Sequence, residues 1–269
     1  MSANIYRYEL HVRLKSVLIW SAALAFLILF FLSLFPAFAG QAALMDEMLA
    51  RFPAEMRAAF NLDKMDLATL LGYFSFTFLF VQLCMAIQAS NYGFGLLSIE
   101  EAELTADFLL SKPVSRIQVL TSKLLAAVTG LVLTNLVVWV SSFIAISLFK
   151  GEREYELQTL LLLLFSGIIF QLFFLSVGMV ISLLVRRVRN VTPYGLGLGF
   201  GAYLLSAFSG VIKDIVLELL TPFKQFDVTY IVAHGAYDMP LVWLNVGITV
   251  VALAASYWLY LHRDIPAVS

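Results

Sequence analysis

The sequence predicts an all-α polytopic membrane protein. It has six transmembrane helices, an N-terminal interface helix and one short amphipathic helix on the loop between spans two and three. Three observations carry that reading. Of 269 residues, 61% are hydrophobic and 13% are charged, where a soluble domain carries roughly 25% charged residues. Apolar runs long enough to cross a bilayer, roughly 20 residues each, recur along the whole chain. The net charge is only −1, so no basic excess points to nucleic acid. The single cysteine, Cys84, lies in an apolar run. It excludes an intramolecular disulfide and reads as a packing residue.

The elements follow in order. Residues 1–15 mix Tyr6, Arg7, Tyr8, His11, Arg13 and Lys15 with apolar positions, the pattern of a helix lying in the membrane interface. The first apolar run begins after about 15 residues and exceeds the roughly 7–15 of a signal h-region, so an uncleaved first span is expected over 16–39. Residues 41–66 form an external loop with short amphipathic helices broken at Pro53. Span two covers 67–92, span three 124–149 and span four 157–185. Span five covers 192–212, with Thr192 as cap and Pro193 in the first turn. A second external loop covers 213–238, and span six 239–261.

Between spans two and three lies the longest polar interruption on its side of the chain. Ser98 and Glu101 form a capping-box pattern. Glu100, Glu101 and Glu103 follow in the first turn, where a helix dipole favours negative charge. Leu104, Phe108 and Leu109 share one face, and Pro113 stops the pattern. A short amphipathic helix at a membrane surface suits docking to a soluble partner.

Charge sets the orientation. Ten of the 17 basic residues fall on the side of the termini: Arg7, Arg13, Lys15, Lys112, Arg116, Lys123, Arg186, Arg187, Arg189 and Arg263. The positive-inside rule then places both termini in the cytosol.

The spans lack the usual chemistry. None carries an ionisable residue well inside the hydrocarbon, where proton-coupled transporters keep their relays. No acid, base or metal-ligand set supports an intramembrane enzyme, so no catalytic, cofactor or metal site is assigned. Gln82, Gln88, Asn135 and Gln171 remain. They read either as helix-to-helix hydrogen bonds or as the polar lining of a transport path. Gly195, Gly197, Gly199 and Gly201 form two interleaved pairs at four-residue spacing, suited to close helix packing. They are not a nucleotide loop, because no strand precedes them. No Walker-type phosphate loop occurs in the chain, so any ATP used in transport binds elsewhere.

The residues of the span two–three loop carry a family likeness. Glu100-Glu101-Ala-Glu103, then Asp107-Phe-Leu-Leu-Ser-Lys-Pro-Val-Ser-Arg116 and Ser122-Lys123, resemble the corresponding loop of ABC-2 type permease subunits. Thr221-Pro-Phe-Lys-Gln-Phe-Asp227 is similar to the Ser-Pro-Phe loop of that family, with Thr in place of Ser. The likeness covers essentially the whole chain. It implies a prokaryotic plasma-membrane subunit of an ATP-driven exporter. The short helix over 98–116 would be a coupling helix seated on a separate ABC ATPase, which holds ATP and Mg. Glu100, Glu101, Glu103, Leu104, Phe108, Leu109 and Arg116 would form the docking surface, with Arg116 and Lys123 fixing the membrane edge. A second permease copy or a sister permease would complete the unit. The alternative is an ATP-independent secondary transporter or channel. The apolar spans lean toward an amphipathic or lipid-like cargo.

Overall fold

Long apolar stretches without internal breakers give long helices. The computed structural model describes residues 1–41, 47, 51–53, 56–57, 62, 65–103, 114–185, 190–212 and 215–262. Within it the elements are α1 (Ala3–Gly40), α2 (Leu70–Glu103), α3 (Arg116–Phe149), α4 (Leu157–Leu184) and α5 (Val191–Ile212). Three short helices follow, α6 (Ile215–Leu220), α7 (Pro222–Gln225) and α8 (Val228–His234), before α9 (Met239–His262). No strand occurs among the described residues. Helices α1, α2, α3, α4 and α9 are long and apolar enough to cross a membrane. Helix α5 has 22 residues, about 33 Å at 1.5 Å per residue. With that length it completes a set of six long helices.

Three sequence expectations are corrected. The interface segment and the first span are one unbroken helix, α1. No Gly or Pro lies between Ala3 and Phe35 to stop it. Its first turns pack on α3: the Ser2 amide donates to Ser122 Oγ at 2.8 Å, and the Tyr6 and Thr129 hydroxyls meet at 3.0 Å. Span two likewise continues to Glu103, so no new helix starts at Ser98. A capping box acts only where the preceding backbone has left the helix, and here it has not. Span three begins at Arg116, eight residues before the expected 124, under a capping box of its own. Ser115 Oγ accepts from the Gln118 amide at 3.2 Å, and Gln118 Oε1 accepts from the Ser115 amide at 3.1 Å.

Helix α2 is the hub. A side chain at Gly93 would overlap the Leu175 carbonyl of α4, and one at Gly199 would sit 2.9 Å from Ile87 Cγ1. Close backbone approach of this kind holds helices together in lipid, where burial from water is not the driving force. Toward the end away from the N-terminus, Leu32, Phe35, Tyr73, Phe74, Ile146 and Leu160 form one buried cluster. Nearer the N-terminal end, Tyr92, Leu96, Leu120, Phe170, Phe174 and Tyr260 lie in a second.

Candidate functional site

At the end carrying the N-terminus, polar groups tie four helices. Lys123 is 2% exposed, although it stands on the eighth residue of α3. Its Nζ donates to the Leu96 carbonyl of α2 at 2.9 Å and lies 3.4 Å from Glu9 Oε1 on α1. Arg13 is 3.6 Å from Glu9, and its guanidinium lies 5.2 Å from the centroid of the Tyr92 ring. Arg116 Nη1 reaches the Tyr260 and Leu261 carbonyls at 3.5 Å each. A cation at the C-terminal end of α9 meets the negative pole of that helix.

Of the expected docking residues, Glu100, Glu101 and Glu103 lie on the last turns of α2. Leu104, Phe108 and Leu109 fall outside the described residues, as does Pro113. Arg116 opens α3. Its Pro-Val-Ser-Arg context now has a local explanation at two positions: Ser115 is the cap and Arg116 is the first helical residue. The Ser115–Gln118 spacing was visible in the sequence and would have placed this helix start correctly.

The four amides sit inside the helix packing. Gln82, Gln88 and Gln171 are fully buried and Asn135 nearly so. Gln88 Nε2 donates to Thr134 Oγ1 at 2.9 Å, Gln171 Nε2 to Gln88 Oε1 at 3.3 Å, and Asn135 Nδ2 to Gln171 Oε1 at 2.5 Å. The chain of bonds crosses α2, α3 and α4 at mid-height. Gln88, Asn135 and Gln171 thus bond one another between helices, while Gln82 bonds elsewhere. The glycines of α5 divide by face. Gly195 and Gly199 press on Asn91 and Ile87 of α2, whereas a side chain at Gly197 or Gly201 would meet nothing within 4 Å.

The sequence marks 213–238 as an external loop and singles out Thr221–Asp227 within it, but does not show how that stretch packs. The loop's short helices α6, α7 and α8 turn inward against the long ones. Gln82, about 18 Å along α2 from its start at Leu70, donates through Nε2 to the Phe226 carbonyl at 3.2 Å. Phe223 packs on Phe170, Phe174 and Tyr203, with ring centroids 5.0, 6.0 and 5.5 Å away. Gln225 clamps the turn: its Nε2 donates to the Leu219 carbonyl at 2.7 Å, and its Oε1 accepts from Asn245 Nδ2 at 2.6 Å. Asp227 caps α8 by accepting from the Thr229 amide at 2.8 Å, and it faces Lys224 at 3.7 Å. Lys224 and Asp227 are thus largely buried among the helices although they stand outside the long ones. The available signal was Thr221-Pro222 followed by alternating aromatic and polar residues, too short to be a span and too apolar for a plain surface loop.

The arrangement combines polar ties between helices, one helix of 34 residues and a charged turn packed among the others. The family model for ABC-2 family transporter proteins matches residues 3–265. No curated protein matches the chain.

Proposed function

The chain belongs to the ABC-2 transporter family, and from that premise we propose that it is the non-catalytic membrane subunit of an ATP-driven exporter. In this reading it works as a dimer, with a second copy or a sister permease, in a prokaryotic plasma membrane with its termini in the cytosol. A separate ABC ATPase binds ATP and Mg and docks on the acidic end of α2 and the residues that follow.

The observation that carries the reading is the reach of α2. Its 34 residues extend about 51 Å, against a hydrocarbon thickness of about 30 Å. One unbroken helix therefore joins Glu100, Glu101 and Glu103 to the amide chain at Gln88 and to the inward turn at Gln82. A displacement of the acidic end on ATP-driven closure moves all three together. Exposed acid–base pairs contribute under about 1 kcal/mol each, so the apolar positions Leu104, Phe108 and Leu109 carry much of the docking.

The test is co-purification from native membranes of the tagged chain and of a variant with Glu100, Glu101, Phe108 and Leu109 changed to Ala. An ABC ATPase should accompany the wild type and be lost from the variant. An ATPase that stays with the variant moves the docking surface elsewhere. Gentle extraction that yields no ATPase at all favours ATP-independent transport.

A further inference from the structure

At the end of the bundle away from the N-terminus, a cavity of about 380 Å³ opens among α6, α7, α8 and the start of α9. Its volume falls within the roughly 300–1,000 Å³ typical of small-molecule sites. Three carboxylates line it, Glu218, Asp227 and Asp238, against one amine, Lys224. The Asp227 carboxylate is already engaged by Thr229, through its amide and its hydroxyl, and by Lys224. Neither Glu218 nor Asp238 has an ion-pair partner among the described residues.

His234 also lines the cavity. Its Nδ1 lies 3.0 Å from the Tyr230 carbonyl, so the ring donates there. The Tyr237 hydroxyl donates to the Leu162 carbonyl at 2.7 Å, and burial pushes its pKa up to about 12. The wall therefore combines an excess of acidic residues with two phenol rings, Tyr230 and Tyr237. Among the described residues, no group of three or more His, Cys, Asp or Glu side chains is placed to hold a metal ion. A diffuse cation suits these dispersed carboxylates better than a hard inorganic one, which needs several oxygens within about 2.6 Å.

We propose that this cavity binds an organic ammonium group, with Glu218 and Asp238 as its counter-charges and the Tyr237 ring and the Tyr230 ring, stacked on His234 with centroids 4.1 Å apart, in the cavity lining. Cations over tyrosine rings are attracted by the negative ring face, and carboxylates set partly out of water act more strongly than exposed ones. The occupant is recognised by its ammonium head, whether that head belongs to a free solute or to an amphiphile entering from the bilayer. The site does not depend on ATPase docking at the opposite end.

Calorimetric titration of choline into the full chain in maltoside micelles tests it, because that detergent carries no ammonium. Saturable binding is expected. Glu218→Gln combined with Asp238→Asn should weaken it at least about tenfold, while Glu152→Gln, outside the cavity, should leave it unchanged. Asp238→Glu keeps the charge and should retain binding, which separates loss of charge from loss of fold. Titration of a lysolipid with the same head distinguishes an amphiphile from a free solute by its tighter binding. Failure of choline to saturate, binding unaffected by the double variant, loss of binding in Asp238→Glu, or binding of inorganic phosphate in place of choline would each overturn the proposal.

Discussion

Two polar regions are buried in this molecule and are built in opposite ways. The amide chain of Gln88, Gln171 and Asn135 is neutral, closed and shared among three long helices. The inward turn carries a charged pair, Lys224 and Asp227, with side chains 9% and 14% exposed, beside an open cavity. A neutral amide out of water needs only a complementary amide. A charge needs a counter-charge and residual solvent. The first region therefore fastens helices, and the second is the place where something from outside can be received.

Removing one member of each region sharpens the contrast. Asp227→Ala should have the largest effect, about 3 kcal/mol in unfolding from mixed micelles, because it loses a helix cap and leaves the Lys224 charge uncompensated. Asp227→Asn, which keeps a capping oxygen, should cost clearly less. Equal losses for the two variants would place the whole effect on the charge, which both remove, and leave nothing for the cap. Gly93→Val forces α2 away from α4 and should cost about 2 kcal/mol while disrupting the amide chain. Gln171→Leu breaks two bonds of that chain and should cost about 1.5 kcal/mol, near the upper end for membrane hydrogen bonds. Combining it with Gln88→Leu should cost less than the sum of the singles, since the two share a bond; strict additivity would mean that the chain is not coupled.

Smaller effects mark the edges of the comparison. Tyr237→Phe should cost about 1 kcal/mol for its bond to the Leu162 carbonyl. The pH dependence follows from the raised pKa. The folded phenol stays neutral to about pH 12, whereas an unfolded one ionises near 10. Its contribution is complete below about pH 10 and is lost as pH rises toward 12, so wild type should lose stability over that window more than Tyr237→Phe does. Gly201→Leu should change protomer stability by under about 0.5 kcal/mol, because its face of α5 meets nothing within 4 Å. A large loss there would show that this face is also packed.

Much of the architecture was legible in the chain itself. Runs of about 20 apolar residues can only be buried in lipid as helices, since unpaired backbone groups are too costly there. The six long helices, the loop that joins α2 to α3 and the family likeness of that loop all follow from local composition and short motifs. The Ser98 start failed for a physical reason: Ser-x-x-Glu is equally compatible with a helix already under way, and only the preceding backbone decides. The amides were found, but their spacing along single helices could not say whether they met one another or a lumen.

What the tertiary structure alone decided is depth and pairing. The segment holding Lys224 and Asp227 reads locally as a polar loop. Its position opposite Gln82 depends on Phe223 and Phe226 finding buried aromatic neighbours on α4, α5 and the approach to α9. The two glycine pairs of α5 are alike in sequence, and only the approach of α2 distinguishes the pair in use. Lys123 became a buried tie because α1 continues past its expected boundary and brings Glu9 to it. Periodicity and composition are properties of one segment, whereas depth, partners and enclosure belong to pairs of segments far apart in the chain.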